Sequence, residues 1–245
     1  MRWVRHHIKI KESVLSVLCK SVFIKPVRKT ILSSRRQIEN VIAEHPEFLT
    51  AHHPLEFQHY PSSMIEKMCI ESKKVNVGPM AAVAGIVAEQ CLKRIIKAGA
   101  QEAVIDNGGD IAIFIQKPLN VGIYAGEQFF PDLAFKIIPR DKPLGICTSS
   151  GTVGYSFSYG DSDAAIVISE NIVLADAAAT ALANRVHSPK DLPTCFEIFD
   201  NLPEIEGSMV IVGDKISMWG NLPQIIQSKE TKELITRGRI STKTN

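Results

Sequence analysis

The 245-residue chain predicts an α+β fold with a largely antiparallel sheet packed by helices. Two observations carry the prediction. Apolar positions at helical spacing crowd into the stretch between Ile31 and Lys97. From Glu102 onward the chain becomes a series of short apolar or alternating runs separated by turns. Strands thus cluster after a helical run instead of alternating with single helices, which disfavours a parallel sheet built from βαβ units.

Taken in order, His7–Lys20 alternates well enough for one or two strands. Ile31, Ile38, Val41 and Ile42 then mark a helix on a charged segment, and Pro46 stops it. Residues 46–60 are rich in His and Pro and read as a loop, where His52, His53 and His59 are either polar loop residues or metal ligands. Ile65, Met68 and Cys69 mark a second helix after Pro61-Ser62-Ser63. Gly78-Pro79 opens a third, Met80–Lys97, which Gly99 ends. The runs VIDN, IAIFIQ, VGIYA, LAFKIIP, LGICTS and AAIVIS between residues 104 and 169 read as strands. A small-residue helix from about Ala175 to Arg185 follows, opening with Asp176. Val210–Trp219, turning at Gly213-Asp214, reads as a terminal hairpin.

Residues 1–226 are expected to form one domain, and 227–245 a polar, disordered tail with five Lys/Arg against two Glu. The net charge of +2 gives no argument for nucleic acid as a partner. Five cysteines, an odd number with no CxxC pair, argue against a disulfide framework and for a reducing compartment. Lys9, Lys11, Glu12 and Ser13 interrupt the apolar core that a secretory signal needs. The longest apolar run, Met80–Ala88, is far short of the ~20 residues of a spanning helix. The expectation is a cytoplasmic protein with no membrane partner.

Several residues could carry chemistry. Gly108 and Gly109 lie between two strands. They either make a tight hairpin, where Gly supplies positive φ, or bring the backbone up against a ligand phosphate or ring. Asp106 and Asp110 flank them, and either could satisfy turn amides. Thr148, Ser149, Ser150 and Gly151 follow Cys147 at a strand end, where hydroxyls and backbone N–H groups can bind an anion or simply form a polar loop. No GxSxG elbow is present, and Cys147 in a buried strand reads as inert. Asp176 and Thr180 stand at i and i+4, on one face of their helix. They offer Mg²⁺ a carboxylate and a hydroxyl, or else serve as a first-turn capping residue and a back-bonded Thr.

DNGGD at 106–110, CTSSG at 147–151 and ADAAATALAN at 175–184, in that order, resemble the ApbE-like superfamily of FAD:protein FMN transferases. The resemblance covers about residues 73–187, with GPMAAVAG at 78–85 and PEFLT at 46–50 adding to it. It implies an α+β fold built from T-fold-like units, and FAD or a related nucleotide as ligand or substrate. It also implies Mg²⁺ on Asp176 and Thr180. Gly108, Gly109, Asp110, Ser149, Ser150 and Gly151 would then lie near the flavin nucleotide, and the substrate partner would be an acceptor protein bearing Thr or Ser.

The chain departs from the family pattern in two places. Its transferases carry an H-x-x-D-P-x-T-G segment whose His is thought to activate the acceptor hydroxyl. Residues 151–176 here contain neither His nor Pro. Asp161 and Asp163, with Tyr155 and Tyr159, are the acid/base candidates in that place. The family's early M-G-T motif is also missing. Two readings follow: a divergent Mg²⁺-dependent transferase on FAD or a similar nucleotide, or a ligand-binding or interaction protein that keeps the fold without the chemistry.

Overall fold

The computed structural model describes residues 3–124, 130, 132–149 and 162–227. The N-terminal alternation resolves into a hairpin of β1 (Val4–Ile10) and β2 (Ser13–Cys19), with Val4 opposite Cys19. Helix α1 (Ile24–Glu44) buries Val27, Ile31, Ser34, Ile38 and Val41, a stripe repeating every three or four residues. The stretch expected to be a loop contains a short helix, α2 (Glu47–Thr50), behind Pro46. Pro46 presets the first turn and Phe48 is fully buried, so packing sustains a helix too short to form alone. Helix α3 (Ser63–Lys74) follows, capped by Ser62, whose hydroxyl accepts from Ile65 N at 3.4 Å. A 3-10 turn at Pro79–Ala82 leads into α4 (Val83–Lys97).

The remaining elements are β3 (Ala103–Asn107), β4 (Asp110–Phe114), β5 (Leu119–Gly122), β6 (Leu133–Ile137), β7 (Leu144–Ser149) and β8 (Ala164–Ser169). After them come α5 (Ile172–Arg185), β9 (Ile205–Val212), β10 (Lys215–Gly220) and β11 (Gln224–Gln227). An eight-stranded sheet runs β1-β2-β3-β4-β7-β8-β9-β10, and a three-stranded sheet runs β11-β6-β5; the strand pairs are antiparallel.

Alternation along the strands sorts the core onto two faces. Ile105, Ala112, Cys147, Ala165, Val167 and Val210 face the helices, with Ile86, Leu92 and Leu182 among their neighbours in that core. Val104, Ile111, Ile146, Ile166, Ile168 and Met209 face the smaller sheet, whose Phe135 and Ile137 share their core. Strand β8 is covered on both faces and is buried along its whole length, which is why it reads as the unbroken apolar run AAIVIS.

Two expectations need correction here. Helix α5 begins at Ile172 rather than near Ala175, and Asn171 caps it by accepting from Leu174 N at 3.4 Å. Ile172-Val173-Leu174 follow the polar pair Glu170-Asn171 and are all buried, and their β-branched and apolar types suit a strand as well as a buried helix, which hides the start of the helix. Strand β11 pairs with β6 and ends at Gln227, a residue assigned by sequence to the tail. Residues 228–245 lie outside the described residues. The five cysteines are free and buried. Among the described residues, no single helix is long and apolar enough to cross a membrane.

Candidate functional site

Asp176 lies one turn inside α5 and does not open that helix. It serves the first turn of another one. Its Oδ2 accepts a hydrogen bond from Gly85 N at 2.6 Å, and the Ala84 main chain also donates to it. The carboxylate thus satisfies amides that α4, which has no side-chain N-cap of its own, would leave open. Gly85 has no side chain because there is no room for one. A Cβ there would stand 2.7 Å from Asp176 Cβ and 2.9 Å from Ile172 O. Asn107, at the end of β3, closes the corner by donating from Nδ2 to Ala84 O at 3.1 Å.

Asp110 opens β4 on the helix-facing side of the sheet and hydrogen-bonds Asp176. Both carboxyls are buried, with 8% and 7% of their residue surface exposed. Burial raises Asp176 to about 7, against the pull of the Gly85, Ala84 and Asp110 hydrogen bonds. Asp110 lies well above the usual carboxylate range, from burial first and then from the neighbouring Asp176. A hydrogen bond between two carboxyl groups needs a proton on one of them, and the raised position of both carboxyls favours keeping it. Burial, and then the two carboxyls, also push the Cys147 thiol far up, so Cys147 is no nucleophile. Its Sγ lies 3.6 Å from Ile172 O.

Two buried oxygens of this face, Asp110 Oδ1 and Ser149 Oγ, have no hydrogen-bond partner among the described residues. Ser149 shares its strand face with Cys147. Thr180, half-buried, stands one turn beyond Asp176 on α5. Asp110 and Asp176 are thus joined directly, while Ser149 shares the sheet face and Thr180 the helix face beside them; all four side chains carry hard oxygen donors. No group of three or more His, Cys, Asp or Glu among the described residues could hold a metal ion by itself.

The other candidates from the sequence border this corner or lie outside the described residues. Gly108 and Gly109 form the β3–β4 turn at φ 76° and 111°, and Gly109 N donates to Asp106 Oδ1 at 3.0 Å, so Asp106 satisfies a turn amide. Thr148 is the neighbour of Gly109, 3.8 Å from the position a Cβ would take, and sits on the opposite strand face from Ser149. Asp163 accepts from Gly213 N at 2.7 Å, in the turn between β9 and β10. Ser150, Gly151, Tyr155, Tyr159 and Asp161 lie outside the described residues. Gly85 and Asn107 stand in the sequence only as members of GPMAAVAG and DNGGD, with no role of their own. A glycine in the small-residue run GPMAAVAG was the available signal.

A family model described as AbpE bacteria matches residues 2–195. A UPF0280 protein of Methanocella arvoryzae is 42% identical over 230 residues, covering 94% of each chain. One of Methanothrix thermoacetophila is 40% identical over 238 residues, covering 96% of this chain and all of the other. Among solved structures, the apo flavinyl transferase ApbE of Pseudomonas stutzeri superposes with a TM-score of 0.53 at 13% identity, covering 89% of this chain and 94% of that one. The flavin transferase ApbE of Vibrio cholerae gives 0.56 at 10%, covering 95% and 99%. At these identities the likeness to the two structures is one of fold.

Proposed function

Because the chain belongs to the AbpE bacteria family and has the ApbE fold, we propose that it binds a flavin or related nucleotide together with a divalent cation such as Mg²⁺. The observation that carries this reading is the buried Asp110–Asp176 pair, with Asp110 Oδ1 unpartnered among the described residues. A protein does not keep two carboxyls in a dry place without something to offset the cost. These donors fit a hard cation. Mg²⁺ uses one or two carboxylates and completes its octahedron with waters and ligand phosphates, so a two-carboxylate site needs no third acid. In the proposed complex Asp176, Thr180 and Asp110 hold the ion and Ser149 donates to a phosphate oxygen. The β3–β4 turn, with Gly108 and Gly109, supports the ligand. The cation's chemistry would be to neutralise charge spreading over the oxygens of a pyrophosphate.

Calorimetry with FAD, FMN and AMP tests this. Binding is expected with Mg²⁺, much weaker in EDTA, and lost in Asp176→Asn. Absence of binding with or without metal would leave only the shared fold.

A second reading, a binder without transferase chemistry, is favoured by a specific observation. Among the acid/base candidates from the sequence, the described Asp163 is engaged by Gly213 in the turn between β9 and β10, and residues 151–176 hold no His. General-base help for an acceptor hydroxyl, worth about 10²–10⁴ in rate, then has no assigned donor in the described site.

A further inference from the structure

We propose that Gly85 and Asn107 are positioning residues for the Asp176 carboxylate, an inference that rests on the cation reading above. A carboxylate on a flexible arm can turn about its Cβ–Cγ bond, and a metal ligand that turns binds weakly. Here one oxygen is fixed. Asp176 Oδ2 is held at 2.6 Å by Gly85 N, with the Ala84 main chain as a second donor. Because a carboxylate is planar, fixing Oδ2 also fixes where the other oxygen lies. Helix α4 supplies the frame, and the frame is itself tied down by Asn107 Nδ2 on Ala84 O at 3.1 Å. The consecutive elements α4 and β3 therefore set a carboxyl group on α5, 91 residues from Gly85.

Gly85 acts twice. Its N–H donates, and its missing side chain lets α5 come close enough to receive the bond. A Cβ at this position would meet Asp176 Cβ at 2.7 Å, Ile172 O at 2.9 Å and Asp176 Oδ2 at 3.1 Å, contacts that push the carboxylate off α4. Asn107 acts through Ala84 and touches neither the carboxylate nor an ion. Helix capping alone would need the N–H and an acceptor. It would not make the orientation of Asp176 matter to a ligand, and that difference can be measured.

The test uses the full-length protein and Mn²⁺ alone, read by electron paramagnetic resonance of free against bound ion. Thermal melting in EDTA and near-ultraviolet circular dichroism check the fold of each variant. Wild type is expected to take up Mn²⁺ and Asp176→Asn to lose it. Gly85→Ala should weaken Mn²⁺ at least about tenfold, and Asn107→Ala by several-fold to about tenfold, the cost usual for removing an outer partner of a metal ligand. Asn107→Ala should do so while its melting point in EDTA stays within a few degrees of wild type. If Gly85→Ala does not fold, Asn107→Ala decides alone. Wild-type Mn²⁺ affinity in the folded variants would overturn the positioning role and leave the cation reading standing. A wild type that takes up no Mn²⁺ would overturn the cation reading and this inference with it.

Discussion

Asp110 and Asp176 sit where water is excluded, and that fixes the sign of the pH response of the metal-free protein. Asp176 titrates at about 7 in the fold, against an ordinary 3.8, and Asp110 is raised as well. A raised carboxyl stabilises the fold when protonated. Its contribution is complete below the ordinary value and is lost as pH rises from about 4 toward 7. Asp110→Asn removes one charge from the pair, so in EDTA the variant should gain stability over wild type, and the gain should grow between pH 5 and pH 8. We expect about 2 kcal/mol at pH 8, or about 4–8 °C in melting temperature for a chain of this size. The same variant should lose the rise in melting temperature that Mg²⁺ gives the wild type, because a ligand that binds only the native state stabilises it. A variant less stable than wild type at every pH would show that the Asp110 carboxylate is a structural partner and not a cost carried for a ligand.

The elements around the site are held by close backbone approach as much as by side chains. Gly78 stands where the chain after α2 crosses the entry to α4, and a Cβ there would lie 1.8 Å from Ala51 O and 2.6 Å from Ala51 C. Backbone cannot yield as the end of a flexible side chain can. Gly78→Ala should therefore cost about 3 kcal/mol or more and lower the melting point by about 6–12 °C. Gly213→Ala is the control. It sits at φ 57° with nothing within 4 Å of its Cβ, so it should cost only about 1 kcal/mol of backbone strain. Because Gly78 precedes the turn that aims the first amides of α4, Gly78→Ala should also weaken Mg²⁺ binding in whatever fraction folds. Equal melting points for the two variants would mean that the crossing at Ala51 opens easily.

At the scale of the whole molecule, helices cover one face of the large sheet and the small sheet covers the other. The candidate site lies on the helical side, where the ends of β3 and β7 and the start of β4 meet α4 and α5. In the proposed reading this arrangement holds an ion and a nucleotide, with Asp176 engaged by the ion, and residues 151–176 offer no His to activate an acceptor hydroxyl. Incubation with FAD, Mg²⁺ and a Thr-bearing flavinylation target should therefore yield little or no covalent FMN, measured as protein-bound flavin fluorescence after denaturation. Binding of FAD, FMN or an adenine nucleotide should still be seen by calorimetry. Robust flavinylation that disappears in Asp161→Ala or Asp163→Ala would restore the transferase reading.

The amino-acid sequence by itself determined the fold class. Period-two runs such as LGICTS, period-three-and-four stripes such as Val27–Val41, and the punctuation of Pro46, Pro61 and Gly99 are local signals, and local geometry obeys them. It also placed Asp110, Ser149, Asp176 and Thr180 among the residues worth attention, since their motifs are contiguous. It misplaced the start of α5, because Ile172-Val173-Leu174 satisfy a strand as well as a buried helix and only packing on the sheet chooses between them. It missed α2, which rests on the burial of Phe48. It could not say what Asp176 touches. Gly85 and Asp176 are 91 residues apart, and no periodicity reaches across that distance. The pairing of Asp110 with Asp176, the proton between them and the need for a glycine at position 85 are products of how closely α4, α5 and the sheet pack. Those were decided by the tertiary structure, because burial and neighbours, not residue type, set the charge and direction of a carboxyl group.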